Sequence, residues 1–262
     1  MMELDEESRH VQSHRARSAL FLSAMRHFAS DVEKRGLPLR YVALDDPDNT
    51  HSFDGELIRA LRELEPREVS VVLPGEWRVR RAFEDAAIKE GVPLTLLADE
   101  HFYCSPEEFA DWAEGRKELV LEHFYRWQRK RLDILMEGGK PEGGRWNFDA
   151  ENRESFKSAP TPPRPYMPRE DAILREVREL LGARLPELPG SDEGRRWPLT
   201  PAHARRALDD FIEQRLPHFG RYQDAMWESE PFLYHSLLSP ALNLKLLDPR
   251  ECVERALEAY RE

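Results

Sequence analysis

Cysteine is nearly absent from this chain of 262 residues. Cys104 and Cys252 are the two, they stand far apart, and they form no CxxC pair. That argues against a metal or cluster site built from this chain alone and fits a reducing cytoplasm. No run of about 18 apolar residues occurs, so no membrane span is expected. Residues 1–10 are acidic and do not read as a signal peptide. Neither GxGxxG nor GxxxxGKS/T is present, which disfavours ordinary dinucleotide or P-loop use. Basic residues are the minority, 39 Lys and Arg against 50 Asp and Glu, giving a net charge of −11 and a pI of about 5.4. This argues against a general affinity for nucleic acid, which needs a basic face, and leaves room for a local basic groove.

What is present reads as a globular chain with a heavily charged surface, 40% hydrophobic and 34% charged. Its length suits one large domain or a domain and a half. Residues 1–4 are long enough for the stub of a strand, with Glu3 near its carboxyl end. Residues 8–35 carry Val11, Leu20, Phe21, Ala24, Met25 and Phe28 at mostly helical spacings, and Gly36 follows as a stop. Strands are expected at 39–44, 69–73 and 93–97, with helices at 52–64 and 78–90 between them. Such alternation argues for a doubly wound α/β domain with a parallel sheet. Ligands of such sheets sit beyond the carboxyl ends of the strands, where Asp45, Asp46, Asn49 and Glu76 fall. Turn chemistry alone accounts for those residues equally well.

Further on, Ser105 with Glu108 forms a capping box. Residues 119–136 read as a helix with Phe124, Tyr125 and Trp127 among Arg126, Arg129, Lys130 and Arg131. Aromatics interleaved with cations bind single strands in some proteins. The simpler reading, aromatics in a core and cations in water, is preferred here. Residues 138–168 are rich in Gly and Pro and include Trp146, Asn147, Phe148 and Asp149, so a linker is expected. From residue 169 the pattern is all helical, with helices over 171–181, 201–216 and 248–261. His10 and His14 lie four apart on the first predicted helix, with Glu7 on the same face. No third ligand completes a zinc site there, and no metal is expected.

Residues 219–247 stand apart from simple amphipathic patterning. At their centre, His235, Ser236, Leu237, Leu238, Ser239 and Pro240 place two hydroxyls three apart at a helix start. Pro suits the first turn and Ser239 is a natural N-cap. Hydroxyls beside free N–H groups also make an anion site. A capped helix start and nothing more is the alternative.

The chain resembles the photolyase/cryptochrome family. There a short Thr/His-Ser-x-Leu-Ser-Pro segment holds the FAD phosphates and a Tyr about a dozen residues earlier also contacts them. His235, Ser236, Leu237, Leu238 and Ser239 match the segment and Tyr222 matches the Tyr. The fit is to the bacterial photolyase-related branch, the iron–sulfur bacterial cryptochromes and (6-4) photolyases. LFLSAMRHFA (20–29), LDDPDN (44–49), PGEWRVR (74–80), GGRWNFDAENR (143–153) and YQDAM (222–226) carry the likeness along nearly the whole chain.

The resemblance implies a Rossmann-like antenna domain over 1–137, incomplete in its sheet, a linker over 138–168, and the start of an all-helical FAD-binding domain over 169–262. It implies FAD held by Tyr222 and residues 235–239. It also implies an antenna chromophore of the lumazine type near a rim formed by Glu3, Asp45, Asp46, Asn49 and Glu76. The family's opening strand, isoalloxazine pocket, electron-carrying aromatics and cluster cysteines have no match here, so the chain is expected to be truncated at both ends and inactive alone. An iron–sulfur cluster belongs to the full-length family, and this chain has no ligands for it. The expected activity of the whole protein is light-driven repair of ultraviolet-damaged DNA. A blue-light receptor without repair, or a non-catalytic α/β module, is the alternative. A cytoplasmic monomer is expected. Lesion type and antenna identity are not legible.

Overall fold

The computed structural model describes residues 1–148, 150–194 and 196–262. Short helix α1 (Glu6–Arg9) leads to α2 (Arg15–Lys34), then α3 (Phe53–Leu64), strand β1 (Val69–Val72), α4 (Trp77–Glu90) and strand β2 (Leu94–Leu97). Next come α5 (Pro106–Ala113), α6 (Leu121–Leu132), a two-residue hairpin of β3 (Met136–Glu137) and β4 (Lys140–Pro141), and a 3₁₀ turn at Glu142–Gly144. The last part is helical: α7 (Ala172–Arg184), α8 (Pro201–Gln214), α9 (Leu216–Tyr222), α10 (Ser239–Asn243) and α11 (Pro249–Arg261). The fold is thus mixed α/β with a small parallel sheet and many helices. No helix among the described residues is long and apolar enough to cross a membrane.

The chain forms two compact units. The first joins Met1–His101, Tyr166–Leu208 and Leu238–Cys252; the second joins Phe102–Pro165, Asp209–Leu237 and Val253–Glu262. In the first, β1 and β2 pair in parallel with Val69 opposite Leu94 and Val72 opposite Leu97. Helix α4 makes the crossover between them, as parallel strands require. Gly91, at φ 70°, ends α4 in the left-handed region that glycine enters freely. The core packs α2 on α7: Ala19, Leu20 and Leu22 meet Leu174, Val177 and Leu181, with Leu185, Leu188 and Leu199 closing it.

Two expectations change on folding. Residues 39–44 make one parallel bridge, Met2 to Val42, rather than a full strand. The helix expected over 8–35 is broken between α1 and α2. There His14 leaves the helical region (ψ 137°) and its Nδ1 accepts from the Ala16 N–H, so it caps α2. The break is held by Ser13 N–H donating to the Ser8 carbonyl and by a Ser8–Ser18 hydroxyl contact of 2.9 Å. His14 also sits against Gly190: a Cβ there would lie 1.8 Å from its Nε2. Only glycine fits that approach.

In the second unit, the α5 capping box forms as expected, with Ser105 and Glu108 each bonding the other's backbone N–H. Trp112 of α5 packs edge-on against Phe124 of α6 at 5.0 Å and lies 6.3 Å from Trp127. Phe124 and Trp127 are half-buried against Trp112, whereas Tyr125 is exposed. The cations are not merely solvated: buried Arg129 donates to the Ile134 and Leu135 carbonyls, and Arg126 pairs with Glu122. Of the stretch 138–168, β4 and the 3₁₀ turn occupy 140–144, and residues 145–168 contain no helix or strand among those described. Asp149 of that stretch lies outside the described residues.

Candidate functional site

Candidate residues fall in both units. In the second, α9 ends at Tyr222, whose ring stacks on Phe156 at 4.4 Å and lies 5.6 Å from Tyr234. His218, one turn earlier, packs on Tyr234 at 5.1 Å, and Trp227 meets Phe156 edge-on at 6.3 Å. These aromatics hold the irregular stretch after α9 in place, since ring pairs at such spacings are favourable beyond simple burial. Within it three non-glycine residues take left-handed backbone: Ser229 (φ 72°), Leu233 (φ 42°) and Leu237 (φ 58°). Tyr234 leads directly into His235 and Ser236.

The structure does not make Ser239 the N-cap. Leu238 holds that position without a side-chain hydrogen bond, and Ser239 is the first residue of α10, followed by Pro240. The reason is backbone geometry: Leu238 is already helical (φ −87°, ψ −14°), so the helix begins one residue later than a serine cap needs. Leu238 is buried and Ser239 exposed. Among the described residues no hydrogen bond engages the hydroxyls of Ser236, Ser239 or Tyr222. The boundary between units runs between Leu237 and Leu238.

In the first unit, Glu3 is 0% exposed. Its carboxylate accepts from Arg26 Nε at 2.7 Å and Nη2 at 2.9 Å, from Tyr41 Oη at 2.5 Å and from the Leu44 N–H at 2.8 Å. The hydrogen bond to Glu3 raises Arg26 above its ordinary range. Burial, then the Glu3 charge, pushes the Tyr41 phenol up. Asn49 is buried beside it, donating to the Glu3 and Ala43 carbonyls at 2.7 and 2.8 Å and accepting from the His51 N–H. Asp45 is exposed, and Asp46 accepts from the Asp48 N–H within its own turn. Exposed Glu76 accepts from Arg78, which also pairs with Glu6 at 2.6 Å and Glu7 at 3.1 Å.

Two cavities adjoin these residues and share Glu7 and Arg17. One, about 240 Å³, is mostly apolar, with Met2, Leu4, Phe21, Leu22, Met25 and Phe53 in its wall and Glu3 at its margin. The other, about 350 Å³, has His10, Gln12, His14, Glu76 and Arg78 around it. Arg17 lies over the Phe21 ring at 4.6 Å and Arg78 over Phe53 at 5.5 Å.

Comparisons with known proteins identify the family. A family model described as deoxyribodipyrimidine photo-lyase-related protein matches residues 1–197. A (6-4) photolyase of Agrobacterium fabrum is 40% identical over 262 residues, covering 100% of this chain and 52% of the relative. The chain belongs to the deoxyribodipyrimidine photolyase-related family. An uncharacterized protein of Acanthamoeba polyphaga mimivirus is 38% identical over 51 residues, 19% of this chain and 26% of that protein. The chain spans about half the length of the Agrobacterium photolyase.

Within this photolyase-related chain the structure sorts the expected residues. Tyr222 joins Phe156, His218 and Tyr234, a grouping that spacing alone did not reveal. Glu3 and Glu76 reach the two cavities, whereas Asp45, Asp46 and Asn49 line neither. Glu7, Arg17, Phe21 and Phe53 also line the cavities and were not among the expected rim residues. The signal available for them was PGEWRVR, whose Arg78 draws Glu6 and Glu7 together, and LFLSAMRHFA, which supplies Phe21. His10 and His14 do face one cavity, but the helix break separates them, and no group of three metal-ligating side chains occurs among the described residues. The cysteines do not fit an iron–sulfur cluster either. Four thiolates are needed, and burial, with Glu251 and Asp248 nearby, pushes the Cys252 thiol up to about 11.

Proposed function

We propose that this chain is the antenna-bearing and phosphate-binding part of a photolyase-type flavoprotein that repairs ultraviolet-damaged DNA with light. Membership of the photolyase-related family, with 40% identity along the entire chain, carries this reading. In it residues 1–137 form a doubly wound antenna domain, 138–168 the linker and 169–262 the start of the helical flavin domain. FAD, when bound, supplies the light-driven electron, and the protein positions it. Tyr222, Ser236 and Ser239 hold its phosphates with hydroxyls that no other described residue engages, and His235, Leu237 and Leu238 complete the segment. The family implies the cofactor, and the donor set fits it: hydroxyls are what a pyrophosphate accepts from.

The paired cavities beside Glu3 and Glu76 support a lumazine-type antenna chromophore, with the ring against Phe21 and Phe53 and the polar arm toward Arg17 and Arg78. Damaged DNA is the partner and the cytoplasm the compartment, the protein acting as a monomer. The net charge of −11 favours a second reading, a blue-light receptor that does not bind DNA.

Absorption and fluorescence of the purified chain after incubation with FAD test the flavin assignment. A retained, vibrationally structured flavin band, abolished by Ser236→Ala with Ser239→Ala, is the expected result. A band unchanged in the double variant would remove these serines from the site.

A further inference from the structure

Residues 229–237 contain no glycine, yet the backbone turns left-handed at Ser229, Leu233 and Leu237, four residues apart. For an L-residue that conformation is unfavourable, because Cβ crowds the following carbonyl. Asn, Asp and Gly are the residues that usually enter it. None stands at these three positions, so tertiary contacts must impose the shape. The contacts are visible. Leu233 is buried at 3% exposure, and Tyr234 is clamped among Phe156, His218 and Tyr222. Two turns close between these points, Glu230 N–H to Trp227 O at 3.2 Å and His235 N–H to Phe232 O at 3.0 Å. The strap is therefore anchored at 233 and 234 and strained at Ser229, Leu233 and Leu237.

We infer that residues 229–237 form a strained strap that fixes the presentation of Ser236, and that Leu237 is a positioning residue for the phosphate-binding segment. This rests on the flavin reading given above. Leu237 follows Ser236 directly, so its φ sets the direction in which the chain leaves the serine. A residue free to relax there would let Ser236 swing away from any group it holds.

Comparing Leu237→Gly with Leu237→Ala in the full chain isolates the strain, because both lose the side chain beyond Cβ and only Ala keeps the crowding. At an ordinary position Gly is the less stable of the two. Here the order inverts, and the Gly variant melts about 2–4 °C above the Ala variant. Ser229→Gly against Ser229→Ala inverts likewise. An Ala variant as stable as Gly, or more so, overturns the strain. The positioning role is read by FAD titration: Leu237→Gly binds about ten-fold more weakly than Leu237→Ala despite its higher melting temperature. Equal affinities would show that Leu237 positions nothing. A wild-type chain that binds no FAD would sink the flavin reading and the positioning role with it, while the Gly and Ala melting order still decides the strain.

Discussion

Two polar regions of this chain use their atoms in opposite ways. Around Glu3, in the first unit, every strong acceptor is occupied: one buried carboxylate takes four hydrogen bonds from Arg26, Tyr41 and Leu44. Along residues 222–237, in the second unit, the hydroxyls of Tyr222 and Ser236 have no partner among the described residues, and the backbone is strained. Buried polar groups cost free energy unless paired, so a saturated carboxylate is architecture. Unengaged hydroxyls on a strained backbone contribute little to folding and are free to serve a ligand. Acidic residues at a strand end look alike in sequence whichever role they play; saturation separates them.

The contrast predicts its own largest effect at Glu3. Glu3→Ala leaves the Arg26 guanidinium, the Tyr41 hydroxyl and the Leu44 N–H without their acceptor. A loss of about 3–5 kcal/mol is expected, as for a broken buried ion pair, read by urea unfolding. A loss below about 1 kcal/mol would mean that water replaces the carboxylate and that Glu3 is a rim residue after all. Asn49→Ala follows. It frees the Glu3 and Ala43 carbonyls and the His51 N–H, and about 1–3 kcal/mol should go.

The same unit carries a proton-sensitive point. His203 is held below its ordinary value of 6.5, first by burial and then by His27 and Arg206, with Asp171 opposing. The folded chain therefore binds this proton less tightly than the unfolded chain, so its contribution is complete above 6.5 and is lost as pH falls through the lower folded value. Melting curves between about pH 7.5 and 5.5 should show stability falling with acid, and His203→Leu should flatten that slope. An unchanged slope would assign the acid sensitivity to other groups.

Local chemistry was legible in the sequence, and distant partnership was not. Helices α3 and α4, strands β1 and β2 and the Ser105–Glu108 capping box were readable because caps, glycine stops and apolar spacing lie within a few residues of one another. Glu3 was placed at a strand end but not in a buried network, since Arg26, Tyr41 and Leu44 lie 23, 38 and 41 residues away. The break after α1 was hidden because no Gly or Pro marks it. Its cause is His14 acting as a cap, with Gly190 leaving room for the ring. The left-handed turns at Ser229, Leu233 and Leu237 were unreadable for the same reason: the residues that usually announce them are missing. Tyr222 and the serines were singled out through the family resemblance alone, and the ring partner of Tyr222, Phe156, lies in a stretch with no periodic signal.

The smallest stability effect is expected where the functional effect is large. Ser236→Ala and Ser239→Ala remove hydroxyls that make no hydrogen bond among the described residues, so each should change unfolding free energy by no more than about 0.5 kcal/mol. Ser239→Ala tests the cap directly. A serine N-cap typically contributes about 1 kcal/mol, whereas Leu238 occupies that position here. A loss near the capping value would restore Ser239 as the cap and take its hydroxyl out of reserve for a phosphate. A neutral substitution that removes retained flavin places Ser239 on the side of Tyr222 and Ser236, opposite in kind to Glu3. Stability and ligand retention then vary independently, as the contrast between the two regions requires.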